Sequence, residues 1–184
     1  MINYNRLGYE IKRDLANFRC PRREYRRNQK RIFYCGNCRA FTKRKMPLPV
    51  YEKVFSAAEK GFISATHENL QCLKSLSAHF AKNCVRTLDR GFDANDYYRY
   101  FLKNDEKFVI RSKKNRNVIY NGKTQNIMDV AGNYKGNYRM DFKDKHGKKI
   151  ECKISYIPVQ LCEFPNKTLV LVAVYGFGAQ PMLL

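Results

Sequence analysis

The run Thr87-Leu88-Asp89-Arg90-Gly91-Phe92-Asp93 carries the sharpest local signal for chemistry in the chain. An acid at the C-terminal end of a strand, followed by a tight glycine turn and a helix, stands where α/β folds open a crevice for ligands. Asp89 in that position can hold a metal ion, or it can pair with Arg90 or cap the next helix; the local pattern leaves these roles open. Lys113-Lys114-Asn115-Arg116 sets three cations in four residues. Point charges and bidentate donors of this kind suit phosphate oxygens, against the plainer role of a solvated turn. Cys35-Gly36-Asn37-Cys38 has the spacing of a zinc knuckle. A closed zinc site needs four ligands, however, and here no histidine is near and the pair falls inside a predicted strand. His67, His79 and His146 are scattered and form no catalytic pairing, and Gly176-Phe177-Gly178 lacks the rest of a nucleotide loop.

The charge balance says what these cations face. In 184 residues, 36 Lys and Arg stand against 16 Asp and Glu, a formal charge of +20. A chain repelling itself this strongly is a poor candidate for an enzyme of small metabolites, and a polyanion is the natural counterpart. Nucleic acid is therefore the expected partner. Hydrophobic residues at 44% and aromatics at 14% are far above the composition of a disordered basic tail, so a packed core is expected. The longest apolar stretch, Thr168 to Tyr175, is far short of a membrane span, so no membrane partner is expected. The N-terminus lacks the apolar core of a secretory signal. Seven cysteines at irregular spacing fit reduced thiols in an intracellular protein, and the expected location is cytoplasmic, with the nucleoid.

The elements that must position these residues follow from periodicity. Residues 1–31 hold ten Lys/Arg against three acids, with Pro21 interrupting any helix, and read as a basic, weakly structured segment. Ile32 to Thr42 and Leu48 to Ser56 are rich in β-branched and aromatic residues across a basic turn, which predicts a hairpin. After Gly61, Thr66 can cap a helix to Lys82 with Leu70, Leu73, Leu76 and Phe80 on one face. A short strand Val85–Leu88 follows, then a helix opening at Asp93 that turns Tyr97, Tyr100 and Phe101 inward. Phe108 to Ser112 is another strand. Beyond it helical periodicity disappears, and residues 117–175 read as short strands broken by Asn121-Gly122, Gly132-Asn133, Gly136-Asn137, His146-Gly147 and Pro165-Asn166. Within them, Tyr138–Phe142 and Ile150–Ile154 form a hairpin, and Thr168–Val174 is a buried strand. The fold class is α/β (α+β), divided into residues 1–31, a strand-strand-helix-strand-helix core at 32–112 and a β-rich part at 113–184.

The run from Thr87 to Asp93, the helix after it and Lys107 to Arg116 together resemble the segment around the second catalytic aspartate of insertion-sequence-4-type DDE transposases. Pro47 to Ser56 and Gly61 to Ser64 are similar to the strand and loop before that family's first helix, and Leu169 to Leu184 is similar to its strand leading out of a β insertion. The resemblance covers residues 31–184. It implies a ribonuclease-H-like core, of order three strands, helix, strand, helix, with an all-β insertion; here the first strand is absent from the pattern. It implies Mg²⁺ or Mn²⁺ as cofactor, held between two aspartates and a glutamate for in-line attack on DNA phosphodiesters. Asp89 matches the second aspartate, as catalytic residue and metal ligand. Arg90 follows it as in the family, and Arg90, Lys113, Lys114 and Arg116 are the expected DNA contacts.

The sequence departs from the family at both ends. Residues 1–8 contain no acid, Asp14 is the one aspartate before Asp89, and the chain stops at Leu184, before the helix that bears the third acid. The expectation is a truncated transposase, catalytically incomplete alone, that binds DNA and holds metal weakly or not at all. A full-length transposase or a complementing chain would be its protein partner. The alternative is a stand-alone basic nucleic-acid-binding module, or a regulator of an intact transposase.

Overall fold

The computed structural model describes residues 16–19, 33–41, 47–56, 58, 60–79, 84–143, 147 and 149–184. They form a mixed helix and sheet architecture, α+β, in two compact units, Met1–Ile110 and Arg111–Leu184.

The first unit is built on a five-stranded sheet of order β3-β2-β1-β4-β5. Its strands are β1 (Ala16–Arg19), β2 (Phe33–Phe41), β3 (Pro47–Ser56), β4 (Arg86–Leu88) and β5 (Phe108–Ile110). The β2/β3 hairpin is antiparallel, with Phe33 opposite Ser56 and Phe41 opposite Pro47. Strand β1 runs antiparallel to β2 and parallel to β4, and β4 runs parallel to β5. Parallel neighbours require a crossover, and the helix between β4 and β5 supplies it. The sequence pattern contained no first strand; the structure places one, β1, inside the segment read as weakly structured. Ala-Asn-Phe-Arg alternates over four residues only and has no β-branched residue, too short a pattern to mark a strand by itself. It is held as a strand by ladders on both sides, which is tertiary context overriding local propensity.

Helix α1 (Ala65–His79) buries Cys72, Leu73 and Leu76. Its start is fixed by Ser64, whose Oγ accepts from the His67 N–H at 3.0 Å, so Thr66 lies inside the helix instead of capping it. The expected last turn at 80–82 falls outside the described residues. Helix α2 (Asn95–Asn104) starts two residues later than expected, and Asp93, just ahead of it, is buried. It buries Tyr97, Tyr98 and Phe101, the last stacked on Phe108 with ring centroids 5.0 Å apart. It ends at Asp105, in the left-handed conformation with φ 52°.

The second unit is a sheet of order β11-β10-β9-β6-β7, with β8 paired to β9. Strands β6 (Asn117–Tyr120) and β7 (Lys123–Asn126) close on Asn121-Gly122, both at positive φ, the geometry that matches strand twist in a two-residue turn. A short helix α3 (Ile127–Gly132) interrupts the otherwise all-β stretch; the Asn126 side chain caps it, accepting from the Met128 N–H at 2.8 Å. Strand β8 (Tyr138–Lys143) lies against β9 (Lys149–Leu161) in the expected hairpin, Tyr138 opposite Ile154 and Phe142 opposite Ile150. Strand β10 (Phe164–Tyr175) returns along β9, and β11 (Met182–Leu183) pairs with its end. The turn between β9 and β10 sits at Cys162-Glu163, ahead of the expected Pro165-Asn166, which falls in an irregularity of β10 between Phe164 and Thr168.

The burial parity of β9 changes along its length. Cys152 and Ile154 are buried in its first half, Ser155, Ile157, Val159 and Leu161 in its second. Cys152, Ile154 and Val174 form a core cluster with Phe142, Ile150, Val172, Met182 and Leu184 packed against it. Thirteen residues of twisted strand thus serve two packing layers, and the even-numbered face, covered at one end, emerges uncovered at the other.

Candidate functional site

Asp89 follows the last residue of β4, at the carboxyl end of a strand flanked by parallel neighbours on both sides. Such an end collects ligands because the loops diverge there. The side chain is exposed, and its Oδ1 accepts from the Arg90 backbone N–H at 2.6 Å, capping the 3₁₀ turn Arg90–Phe92. One carboxylate oxygen is thereby engaged by the turn. Phe18 on β1 pairs with Leu88, so Arg19 is the β1 residue that comes level with Asp89.

The two nearby acids are committed elsewhere. Asp93 is 2% exposed and accepts a hydrogen bond from the Tyr98 hydroxyl at 2.9 Å. Asp96 is exposed and pairs with Arg99 at 2.6 Å, one helical turn on. Among the described residues no group of three or more His, Cys, Asp or Glu side chains is placed to hold a metal ion. Asp14 and Glu10, the acids on the N-terminal side, lie outside the described residues.

The other end of β4 is anchored by a buried polar network that the sequence reading missed. The Arg86 side chain is 2% exposed and its Nε donates to Glu106 Oε2 at 3.0 Å, while its Nη2 donates to Ser77 Oγ at 3.0 Å. The Tyr100 hydroxyl donates to the second Glu106 oxygen at 3.1 Å and lies 3.0 Å from Ser77 Oγ. The Arg86 backbone N–H is bonded to the Lys107 carbonyl at 2.9 Å. Strand β4, both helices and the entry to β5 therefore meet at one charge pair, which fixes the strand whose far end presents Asp89. Burial pushes the Tyr100 hydroxyl pKa above its ordinary value of 10.0, opposed by the Ser77 hydrogen bond and reinforced by the Glu106 charge. The signal in the sequence was an arginine inside the short strand Val85-Arg86-Thr87-Leu88: a cation there must be paired. Beside the network a groove of about 850 Å³ is lined from both helices, by Lys74, Asp96, Arg99 and Lys103 and, beyond the second helix, Asp105 and Glu106.

The expected phosphate contacts divide between the units. Arg90 is exposed in the first, on the 3₁₀ turn beside Asp89. Lys113, Lys114 and Arg116 belong to the second and occupy the turn before β6. That turn is closed by a backbone bond from the Arg116 N–H to the Lys113 carbonyl at 3.3 Å and tied to α3 by the Ile127 N–H on the Arg116 carbonyl at 2.9 Å. Lys113 and Lys114 are exposed, and the Lys114 ammonium donates to the Gln180 amide oxygen. The three cations thus stand on an ordered turn. Cys35 and Cys38 lie within the run of β2 instead of a knuckle loop. Cys72, Cys84, Cys152 and Cys162 are in the thiol form, outside any disulfide, and the first three are buried. No described helix is long and apolar enough to cross a membrane. No protein-family model matches the chain, and no curated protein sequence matches it significantly.

Proposed function

We propose that this chain is a DNA-binding protein of the DDE transposase type, in which Asp89 is a metal-facing carboxylate of a ribonuclease-H-like core. The observation that carries the reading is the sheet order β3-β2-β1-β4-β5, with β1, β4 and β5 parallel, β2 reversed, and Asp89 at the carboxyl end of β4. Three strands, a helix, a strand and a helix is the order the sequence resemblance implied, and β1 supplies the strand that the sequence pattern lacked. The formal charge of +20 and the cationic turn at 113–116 support DNA as the partner.

A Mg²⁺ or Mn²⁺ ion is a hard cation that keeps several waters and binds through one or two carboxylates plus substrate phosphates. Asp89, with one oxygen on the Arg90 N–H and the other unengaged by that bond, fits as one such carboxylate. Bound there, the ion would supply charge neutralisation at a scissile phosphate. DNA binding is the activity this reading puts first, with Asp89 contributing one carboxylate to a metal whose shell substrate phosphates would complete. A complementing chain or an intact transposase remains part of the proposal as the source of further acids.

The test compares duplex DNA affinity of the chain and of Asp89→Asn, with and without Mg²⁺. Without metal the variant is expected to bind as well as the parent or slightly tighter, having lost a negative charge from a basic surface. With Mg²⁺ only the parent gains affinity. An equal metal response in both would remove Asp89 from the metal role, and loss of binding by the metal-free variant would make it a structural residue.

A further inference from the structure

We propose that the uncovered face of the second unit's sheet is a stacking platform for single-stranded DNA, centred on Tyr138 and Tyr156. Residues opposite one another on paired strands share a face, as do residues two apart along a strand. The pairings Met140–Cys152, Tyr138–Ile154, Val172–Tyr156 and Val170–Pro158 therefore put six residues, Tyr138, Met140, Tyr156, Pro158, Val170 and Val172, on the same face as the buried Cys152 and Ile154. That face continues the core cluster outward and then, among the described residues, lacks a cover. Tyr138 is 60% exposed, Tyr156 51%, Val170 57% and Met140 46%. The two tyrosine rings touch edge to face with centroids 5.3 Å apart, and Phe177, also about half exposed, leans on Phe142 at 5.7 Å. Large apolar side chains gathered on one exposed face mark a binding surface.

Charge selects the occupant. Between Arg111 and Leu184 there are thirteen Lys and Arg against five Asp and Glu, so a second copy of the same face would meet like charge, whereas a polyanion is attracted. Exposed cations lie at its margins, Lys135 just ahead of β8 and Lys167 at the entry to the Val170 segment, while Arg139 and Lys153, on the rung beside Tyr138, belong to the opposite face. Aromatic surfaces flanked by cations are how proteins hold unpaired bases, the rings stacking on base faces while the cations track the backbone. In a duplex those base faces are already stacked, so the platform selects single strands. The choice of DNA as the strand's chemistry rests on the function proposed above.

The test is fluorescence anisotropy of the full chain with a labelled oligothymidine and with a labelled duplex, over a salt series. The double variant Tyr138→Ala/Tyr156→Ala is expected to bind the single strand at least ten-fold more weakly, with its salt slope unchanged and its duplex affinity within two-fold of the parent. Tyr156→Phe keeps the ring and is expected to keep the binding. The chain has no tryptophan, so Tyr156→Trp supplies a unique fluorophore whose emission is quenched by oligothymidine and not by duplex. An unaltered single-strand affinity in the double variant, or an equal loss on both ligands, overturns the platform while leaving DNA binding in place. A sedimenting dimer that Tyr138→Ala dissolves would assign the face to a second copy. A parent chain that binds neither ligand overturns the DNA reading itself and the platform with it.

Discussion

Replacing Arg86 by leucine tests the frame that holds Asp89. The guanidinium and its partner Glu106 are nearly inaccessible, with 2% and 7% of their side-chain surfaces exposed. Arg86→Leu leaves the Glu106 carboxylate in place without its ion-pair partner, with the Tyr100 hydroxyl as its remaining described donor. Removing one partner of a buried pair costs about 3–5 kcal/mol, because the other charge is stranded away from water. At about 4 °C per kcal/mol for a unit of this size, the melting temperature should fall by roughly 12–20 °C. Glu106→Gln strands the guanidinium instead and should cost a similar amount. The double variant Arg86→Leu/Glu106→Leu removes both charges, and apolar replacement of a buried pair is often neutral, so it should return to within about 1 kcal/mol of the parent. Urea titration of the full chain followed by circular dichroism reads all three. A single-variant loss below about 1 kcal/mol would mean that the pair is effectively solvated, and the anchoring role of the network would be wrong.

Stability should also decline in alkali. The Tyr100 and Tyr175 hydroxyls are raised above the ordinary value of 10.0 chiefly by burial, so the folded chain holds these protons longer than the unfolded one. Their contribution is complete below about pH 10 and is lost as the pH rises toward the folded values. Denaturation midpoints measured upward from pH 9 should fall more gently in Tyr100→Phe/Tyr175→Phe than in the parent. Gly136→Ala should cost well over the ~1 kcal/mol of a strained glycine site, because its Cβ would lie 2.3 Å from the Lys153 Cβ at φ +83°. Gly122→Ala, at φ +73° with open space around it, should cost only about 1 kcal/mol, and thermal melts of the two variants make the comparison. Replacing Lys113, Lys114 and Arg116 together by alanine should reduce the slope of log affinity for duplex DNA against log salt by about three units. An unchanged slope would move the phosphate contacts to other cations.

Elements with their own periodicity were legible in the sequence. Leu73 and Leu76 marked α1, Tyr97 and Phe101 marked α2, and the alternation around Lys145-His146-Gly147-Lys148 marked the β8/β9 hairpin. What was not legible depends on contacts distant in sequence. Strand β1 is four residues defined by its neighbours, and α3 is six residues nucleated by the Asn126 cap. Asp93 was visible as an acid preceding a helix, but its burial and its hydrogen bond from Tyr98 depend on the packed core. Asp89 was visible as an acid after a strand, but its bond to the Arg90 N–H required the turn itself. The Arg86 network joins residues 77, 86, 100 and 106, and no periodicity connects them. The exposed face at Tyr138 and Tyr156 was hidden for a similar reason, since alternation does not say which end of a long strand goes uncovered.

The most direct measurement of the central claim is the affinity of the intact chain for duplex DNA as a function of salt. Each neutralised phosphate contributes about −0.9 to the slope of log affinity against log salt. A chain of charge +20 that binds DNA through its cationic surface should show a slope of about −4 or steeper, losing several decades of affinity over a modest rise in salt. A slope near zero, or no binding at low salt, would contradict the account.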